Sequence, residues 1–203
     1  MKAMWVTDRS ACGERRFEAV LAALAGVSSL CVQLREKSLT DLENLALARR
    51  CQEALGPAVA LLVNRRFDVA LAAGAPGAHL PADGLPVARV RANTPRGFRI
   101  GVSAHSTEDA ARAIEDGADL VVLGPIFDTP SKRAFGPPLG LAALDRLPPL
   151  KTHGAEIYAI GGIAGENLEE IARRRDRVSG PAAIRLFQDA PDPAAMAQRI
   201  ASL

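Results

Sequence analysis

Short apolar runs, each too brief for a helix and most rich in β-branched residues, alternate along this chain with stretches whose apolar residues fall at helical spacing. This alternation limits the possible folds more than any single motif does. Strands are expected at Ala3 to Thr7, Leu30 to Leu34, Val59 to Val63, Gly77 to Leu80, Arg99 to Ser103, Leu120 to Leu123, Ile157 to Ile160 and Pro181 to Leu186. Helices are expected from Glu14 to Gly26, with Phe17, Val20, Leu21 and Leu24 on one face, and from the capping-box pair Thr40 and Glu43 to Leu55. Others should span Phe67 to Ala73, the Ser106 cap to Asp116, Leu141 to Leu147 and Asn167 to Arg175, and a last one should start at Asp192-Pro193. Asp83 to Pro95 has no clear period and reads as a poor helix. Strand-then-helix units imply parallel pairing with helices packed on the sheet. About eight units favour a closed (β/α)8 TIM barrel, an α/β fold, over an open doubly wound sheet. Thr7-Asp8-Arg9-Ser10 after the first strand is not the glycine-rich fingerprint a dinucleotide fold requires. No low-complexity linker divides residues 1–203, so one domain is expected.

Composition narrows the function classes. Apolar residues make up 48%, which excludes a disordered chain. A net charge of +2 and 4% aromatics supply neither the basic stripe nor the stacking platforms of a nucleic-acid binder. Arg173-Arg174-Arg175 reads as a solvated helix face. Cys12, Cys31 and Cys51 stand at no metal or redox spacing, which points to reduced thiols and a cytoplasmic chain. No apolar stretch is long enough to span a membrane. Homo-oligomerisation stays open.

In a parallel barrel the chemistry gathers at the carboxyl ends of the strands. The polar residues there are Gln33, Arg35, Lys37, Asn64, Arg65, His79, Ser103, His105, Thr129, Ser131 and Lys132. The loop after Leu120 to Leu123 carries two hydroxyls and two cations, Thr129, Ser131, Lys132 and Arg133, which suits an oxyanion as well as it suits plain solvent. Gly161-Gly162 follows the seventh strand, where backbone N–H groups can meet a phosphate; Gly180 and the Ile184-Arg185 peptide would supply the eighth-strand half. The alternative for the glycine pair is a tight turn. Arg35 and Lys37, two apart, can form with Gln33 a second cationic patch, or lie in an exposed loop with Glu36 as ion-pair partner. His105 is a candidate proton carrier or a helix-cap partner. His79, inside an apolar strand, reads as structural, and His153 as exposed. No nucleophile–His–acid set and no clustered metal ligands are present.

Five motifs together resemble the thiamine-phosphate synthase/TenI superfamily: Gln33-Leu34-Arg35-Glu36-Lys37, Gly101-Val102-Ser103-Ala104-His105, Gly124-Pro125-Ile126-Phe127-Asp128-Thr129-Pro130-Ser131-Lys132, Gly136-Pro137-Pro138-Leu139-Gly140-Leu141 and Ala159-Ile160-Gly161-Gly162-Ile163. The resemblance implies a (β/α)8 barrel that binds a phosphorylated thiazole and, in the synthase, also a pyrimidine diphosphate. It implies that Gln33, Arg35, Lys37, Asn64, Thr129, Ser131 and Lys132 serve the pyrimidine diphosphate and that Gly162, Ile184 and Arg185 hold the thiazole phosphate. The synthase pattern places two Mg²⁺-binding aspartates after strands three and four; here those places hold Arg65 and Gly84, with Asp83 one residue early. His79-Leu80-Pro81 is similar to the TenI branch of thiazole tautomerases, whose catalytic histidine is Pro125 here. The expectation is therefore a thiazole tautomerase-like isomerase without cofactor, with His105 as proton carrier and Arg65 as a substrate-gripping cation. The alternatives are a coupling synthase, which would bring Mg²⁺, and a thiazole or thiamine phosphate sensor without turnover.

Overall fold

The computed structural model describes residues 1–129 and 136–203. Eight parallel strands pair each with its sequence neighbour, and the last pairs with the first, so the sheet closes into a barrel. They are β1 (Ala3–Val6), β2 (Leu30–Leu34), β3 (Ala60–Asn64), β4 (Gly77–Leu80), β5 (Arg99–Ala104), β6 (Leu120–Leu123), β7 (Glu156–Ile160) and β8 (Gly180–Ala183). Around them run α1 (Arg9–Cys12), α2 (Glu14–Ala23), α3 (Asp41–Leu55), α4 (Phe67–Ala73), α5 (Val87–Arg91), α6 (Thr107–Glu115), α7 (Leu141–Asp145), α8 (Leu168–Ala172), α9 (Arg185–Gln188) and α10 (Pro193–Ser202). This is the TIM-barrel fold that the alternating pattern implies.

Local chemistry accounts for most of the boundaries. Thr40 and Glu43 form the expected capping box at the start of α3: the Thr40 amide donates to the Glu43 carboxylate at 2.8 Å and the Glu43 amide to the Thr40 hydroxyl. The Ser106 hydroxyl accepts the Asp109 amide at 3.0 Å and starts α6. Three expectations need correction. The stretch expected as a strand from Pro181 to Leu186 is strand only to Ala183, because Ile184 caps α9 there. The helix expected from Asn167 to Arg175 is regular only over Leu168–Ala172, and the rest winds down in turns. The poor helix at Asp83 to Pro95 condenses to the five residues of α5.

Alternate residues of each strand face opposite ways, so the core has two compartments. The outward side chains pack under the helices; Trp5 meets Phe17 of α2 with ring centroids 5.6 Å apart. The inward ones, among them Met4, Val6, Cys31, Leu62, Leu120, Val122, Tyr158 and Ala182, fill the barrel itself. Its amino-terminal end is sealed by charge. The Glu156 carboxylate accepts from Lys2 at 2.5 Å and from the Tyr158 hydroxyl at 2.6 Å, and lies 3.1 Å from the Arg99 guanidinium. Burial pushes this carboxyl upward, and these partners overcome it, leaving its pKa below the usual value.

Inside, Gly101 leaves room for its neighbours. A Cβ there would lie 2.6 Å from His79 Nδ1 and 2.8 Å from Leu120 Cδ1. Gly101→Ala is expected to destabilise the protein by about 1–3 kcal/mol, the usual range for overpacking, as read from chemical denaturation.

Candidate functional site at the carboxyl ends of the strands

The carboxyl-terminal mouth has a polar half on β2 to β5. Gln33 is buried, and its side-chain amide donates to Asn64 Oδ1 at 3.1 Å. His79 is 1% exposed, and its Nε2 lies 2.9 Å from the Ser103 hydroxyl. Strand register explains the second pair: His79 sits beside Gly101 on β5, and Ser103 is the next residue on the same face. Burial depresses the His79 pKa to about 3, so its ring is neutral near pH 7, and Nδ1 has no hydrogen-bond partner among the described residues. His79 is thus structural in the sense its apolar strand implies, while also bonding a residue expected to meet substrate.

Arg35 and Lys37 follow β2 in a loop held by its neighbour. The buried Thr7 hydroxyl donates to Glu36 Oε1 at 2.6 Å and accepts the Arg35 amide at 2.9 Å. The Arg9 amide donates to the same carboxylate at 3.2 Å. Burial raises the Glu36 pKa, opposed by these bonds. Glu36 therefore ties the first two strand ends together and is not the ion-pair partner of Lys37. Sequence reasoning missed Thr7 and Glu36; the available signal was a hydroxyl at the end of the first strand and an acid between two cations. Arg35 is half-buried and Lys37 exposed.

The other half is built from backbone. Ile126 and Phe127 amides donate to the carbonyls of Ile160 and Gly161 at 2.8 and 3.0 Å, so the loop after β6 lies on the loop after β7. Gly161 and Gly162 have φ of 96° and 64°, and a Cβ on either would strike this loop, Pro125 at 2.5 Å or Asp128 at 2.6 Å. Close packing thus accounts for both glycines before any ligand is considered. Their own amides, and that of Ile163, donate to no backbone carbonyl among the described residues. Asn167, unremarked in the sequence except as a helix start, braces the turn: its Nδ2 donates to the Gly162 carbonyl at 2.8 Å and its Oδ1 accepts the Ala164 amide at 3.0 Å. Ile184 and Arg185 begin α9 after the adjacent strand, with the Arg185 side chain exposed.

His105 is exposed, and its Nδ1 lies 3.0 Å from the Gly124 carbonyl, which places it toward β6 and not on its own helix cap. An acceptor at Nδ1 requires the proton there, leaving Nε2 unprotonated in the neutral ring. Thr129 is half-buried; Ser131 and Lys132 lie outside the described residues.

Comparison with known proteins bears on this mouth. The family described as thiamine monophosphate synthase matches residues 3–186. The chain belongs to the thiamine monophosphate synthase family. It is 40% identical to a putative thiamine-phosphate synthase of Geobacter sulfurreducens over 202 residues, covering 98% of this chain and 92% of that protein. It is 37% identical to the thiamine-phosphate synthase of Albidiferax ferrireducens over 199 residues, covering 98% and 89%. A thiamine phosphate pyrophosphorylase structure from Pyrococcus furiosus shares the fold, with a TM-score of 0.81, 24% identity and coverage of 99% and 95%.

The Mg²⁺ that this family implies does not fit the donors present. Such an ion takes several hard oxygen ligands. Among the described residues no group of three or more His, Cys, Asp or Glu side chains could hold a metal. Asp83 lies 3.3 Å from the Arg65 guanidinium, a cation where the metal would need an anion, and Asp41 and Asp68 are taken up by Arg66.

The neutral buried His79 carries a pH dependence. Its folded pKa lies below the unfolded value, so the stabilising effect is complete above pH ~6.5 and is lost as pH falls toward 3, because only the unfolded state takes up the proton. Unfolding free energy should therefore fall by up to about 1.4 kcal/mol per pH unit in that window through this residue alone. His79→Gln should flatten that part of the profile in urea titrations at successive pH values; an unchanged slope would show that another group carries it.

Proposed function

We propose that this barrel joins a pyrimidine carried on a diphosphate to a phosphorylated thiazole, forming thiamine phosphate and releasing pyrophosphate. The observation that carries the reading is the division of the mouth into two unlike donor sets. Side chains of β2 to β5 form one, and backbone amides of the loop after β7, with the start of α9, form the other. Two substrates need two such sets, whereas an isomerase needs one set and a proton carrier. The relatives named as synthases favour the same reading.

In this scheme Arg35, Lys37 and Asn64, with Thr129, Ser131 and Lys132 of the loop after β6, take the diphosphate. Gln33 and Ser103 orient the pyrimidine. The amides of Gly161 and Gly162, with Ile184 and Arg185, hold the thiazole phosphate against a positive backbone field. The bond from the pyrimidine methylene carbon to the diphosphate oxygen breaks, and the electron pair leaves with the diphosphate. The thiazole nitrogen supplies the pair for the new carbon–nitrogen bond. The cations stabilise the charge that grows on the leaving group, which is where electrostatic catalysis acts most strongly. Gln33, already fixed by Asn64, reaches the pyrimidine without reorganising.

Thiazole tautomerisation is the second reading, favoured by the His105 ring, whose Nδ1 contact with Gly124 leaves Nε2 free to accept a proton. One set of assays separates the two. Given both substrates, the protein should form thiamine phosphate and pyrophosphate, and His105→Asn should leave that rate unchanged. Failure to form thiamine phosphate, combined with aromatisation of carboxythiazole phosphate that falls at least ~10²-fold in His105→Asn, would replace the coupling reading with the isomerase.

A further inference from the structure

We infer that Arg65 grips the diphosphate directly, in the place where a divalent cation would otherwise stand, so that this mouth binds diphosphate without metal. The identity of the anion rests on the coupling reading; the grip itself rests on the geometry.

Arg65 follows the last residue of β3. It is the only non-glycine residue with positive φ among the described residues, at 68°. That conformation is unfavourable for a side chain with a Cβ, and glycine or asparagine would adopt it more readily. The turn itself therefore gives no reason for an arginine. The backbone there is nonetheless fixed, since the Arg65 amide donates to the His79 carbonyl at 2.7 Å. The preceding residue, Asn64, is fixed too, with its Oδ1 accepting from Gln33, which leaves its amide nitrogen to donate elsewhere. An exposed guanidinium thus stands on a rigid root, at the residue after Asn64.

Its present partner is weak. Arg65 and Asp83 lie 3.3 Å apart, with side chains 60% and 80% exposed. Ion pairs this exposed contribute little to stability. Asp83 parks the guanidinium and gives way when a stronger anion arrives. A diphosphate offers paired oxygens that match the planar fork of arginine, which a carboxylate at one oxygen does not use fully. Arg35 and Lys37, held by the Thr7–Glu36 contact, bring further positive charge from the neighbouring loop. A cation of the magnesium type would meet the reverse arrangement, a guanidinium at its door and one carboxylate already engaged.

Titration calorimetry of the full chain with inorganic pyrophosphate tests this without turnover. Binding should be the same in EDTA and in Mg²⁺. Arg65→Gly is the decisive variant, because glycine suits the backbone at this position, so the fold is kept or strengthened and a weaker signal reports the lost guanidinium. It should reduce affinity at least ~10-fold, the scale of lost charge-assisted hydrogen bonds. Asp83→Asn should bind as tightly as the wild type or tighter. Absence of wild-type binding in EDTA, or undiminished binding by Arg65→Gly, would overturn the inference. The two proposals fail separately. Metal-free binding through Arg65 with no thiamine phosphate formed sinks the coupling reading alone, and thiamine phosphate formed only with Mg²⁺ sinks this one alone.

Discussion

A closed barrel admits only what its interior can hold. With eight strands there is room for side chains and nothing more, so the inward residue at every level is chosen against those beside and across from it. The lower levels are apolar, bounded by the Glu156 cluster at the amino-terminal end. Polar groups enter toward the other end, and there each must find a partner inside the barrel or face the mouth. Gln33 with Asn64 and His79 with Ser103 are the outcome. Gly101 is what allows it, since the imidazole occupies the space its side chain would fill. The site is rigid because it is the last layer of the core.

This origin explains how much was legible in the sequence. Strands such as β1 and β6 announce themselves because burial on both faces demands continuous apolar runs. For β8, Gly180-Pro181-Ala182-Ala183, which has no β-branched residue, a strand is expected from Pro181 but its end is placed three residues too late, at Leu186 and not Ala183. The polar residues at strand ends were legible because topology alone places them at one mouth. Their partners were not. That Glu36 bonds Thr7 depends on the register of β1 against β2, and that His105 turns to Gly124 depends on the path of the next loop. Such contacts join segments far apart in sequence, beyond the reach of local periodicity.

The two halves of the mouth differ in how they tolerate change. Backbone amides near Gly161 and Gly162 hold their direction so long as the turn is kept, and the turn is kept by Asn167 and by the loop after β6 lying against it. The side-chain half depends on the identity of a few residues. Substitution there alters chemistry with little effect on shape, which is how Arg65 and Gly84 can stand in a family barrel at places where the resemblance leads one to expect acids. The fold survives such exchanges because they occur outside the filled interior.

The seam between β1 and β8 has a consequence for the nascent chain. Lys2 donates to the Ser179 carbonyl at 2.9 Å, and Met4 and Trp5 pair with Ala182 and Ala183. During synthesis the first strand to emerge is therefore the last to receive its second neighbour. Until residues near 183 leave the ribosome, one edge of β1 presents unpaired amides and carbonyls, and the half-built sheet is an open template for another chain. In the finished barrel the Lys2–Glu156 ion pair spans this seam, joining the start of β7 to the residue before β1.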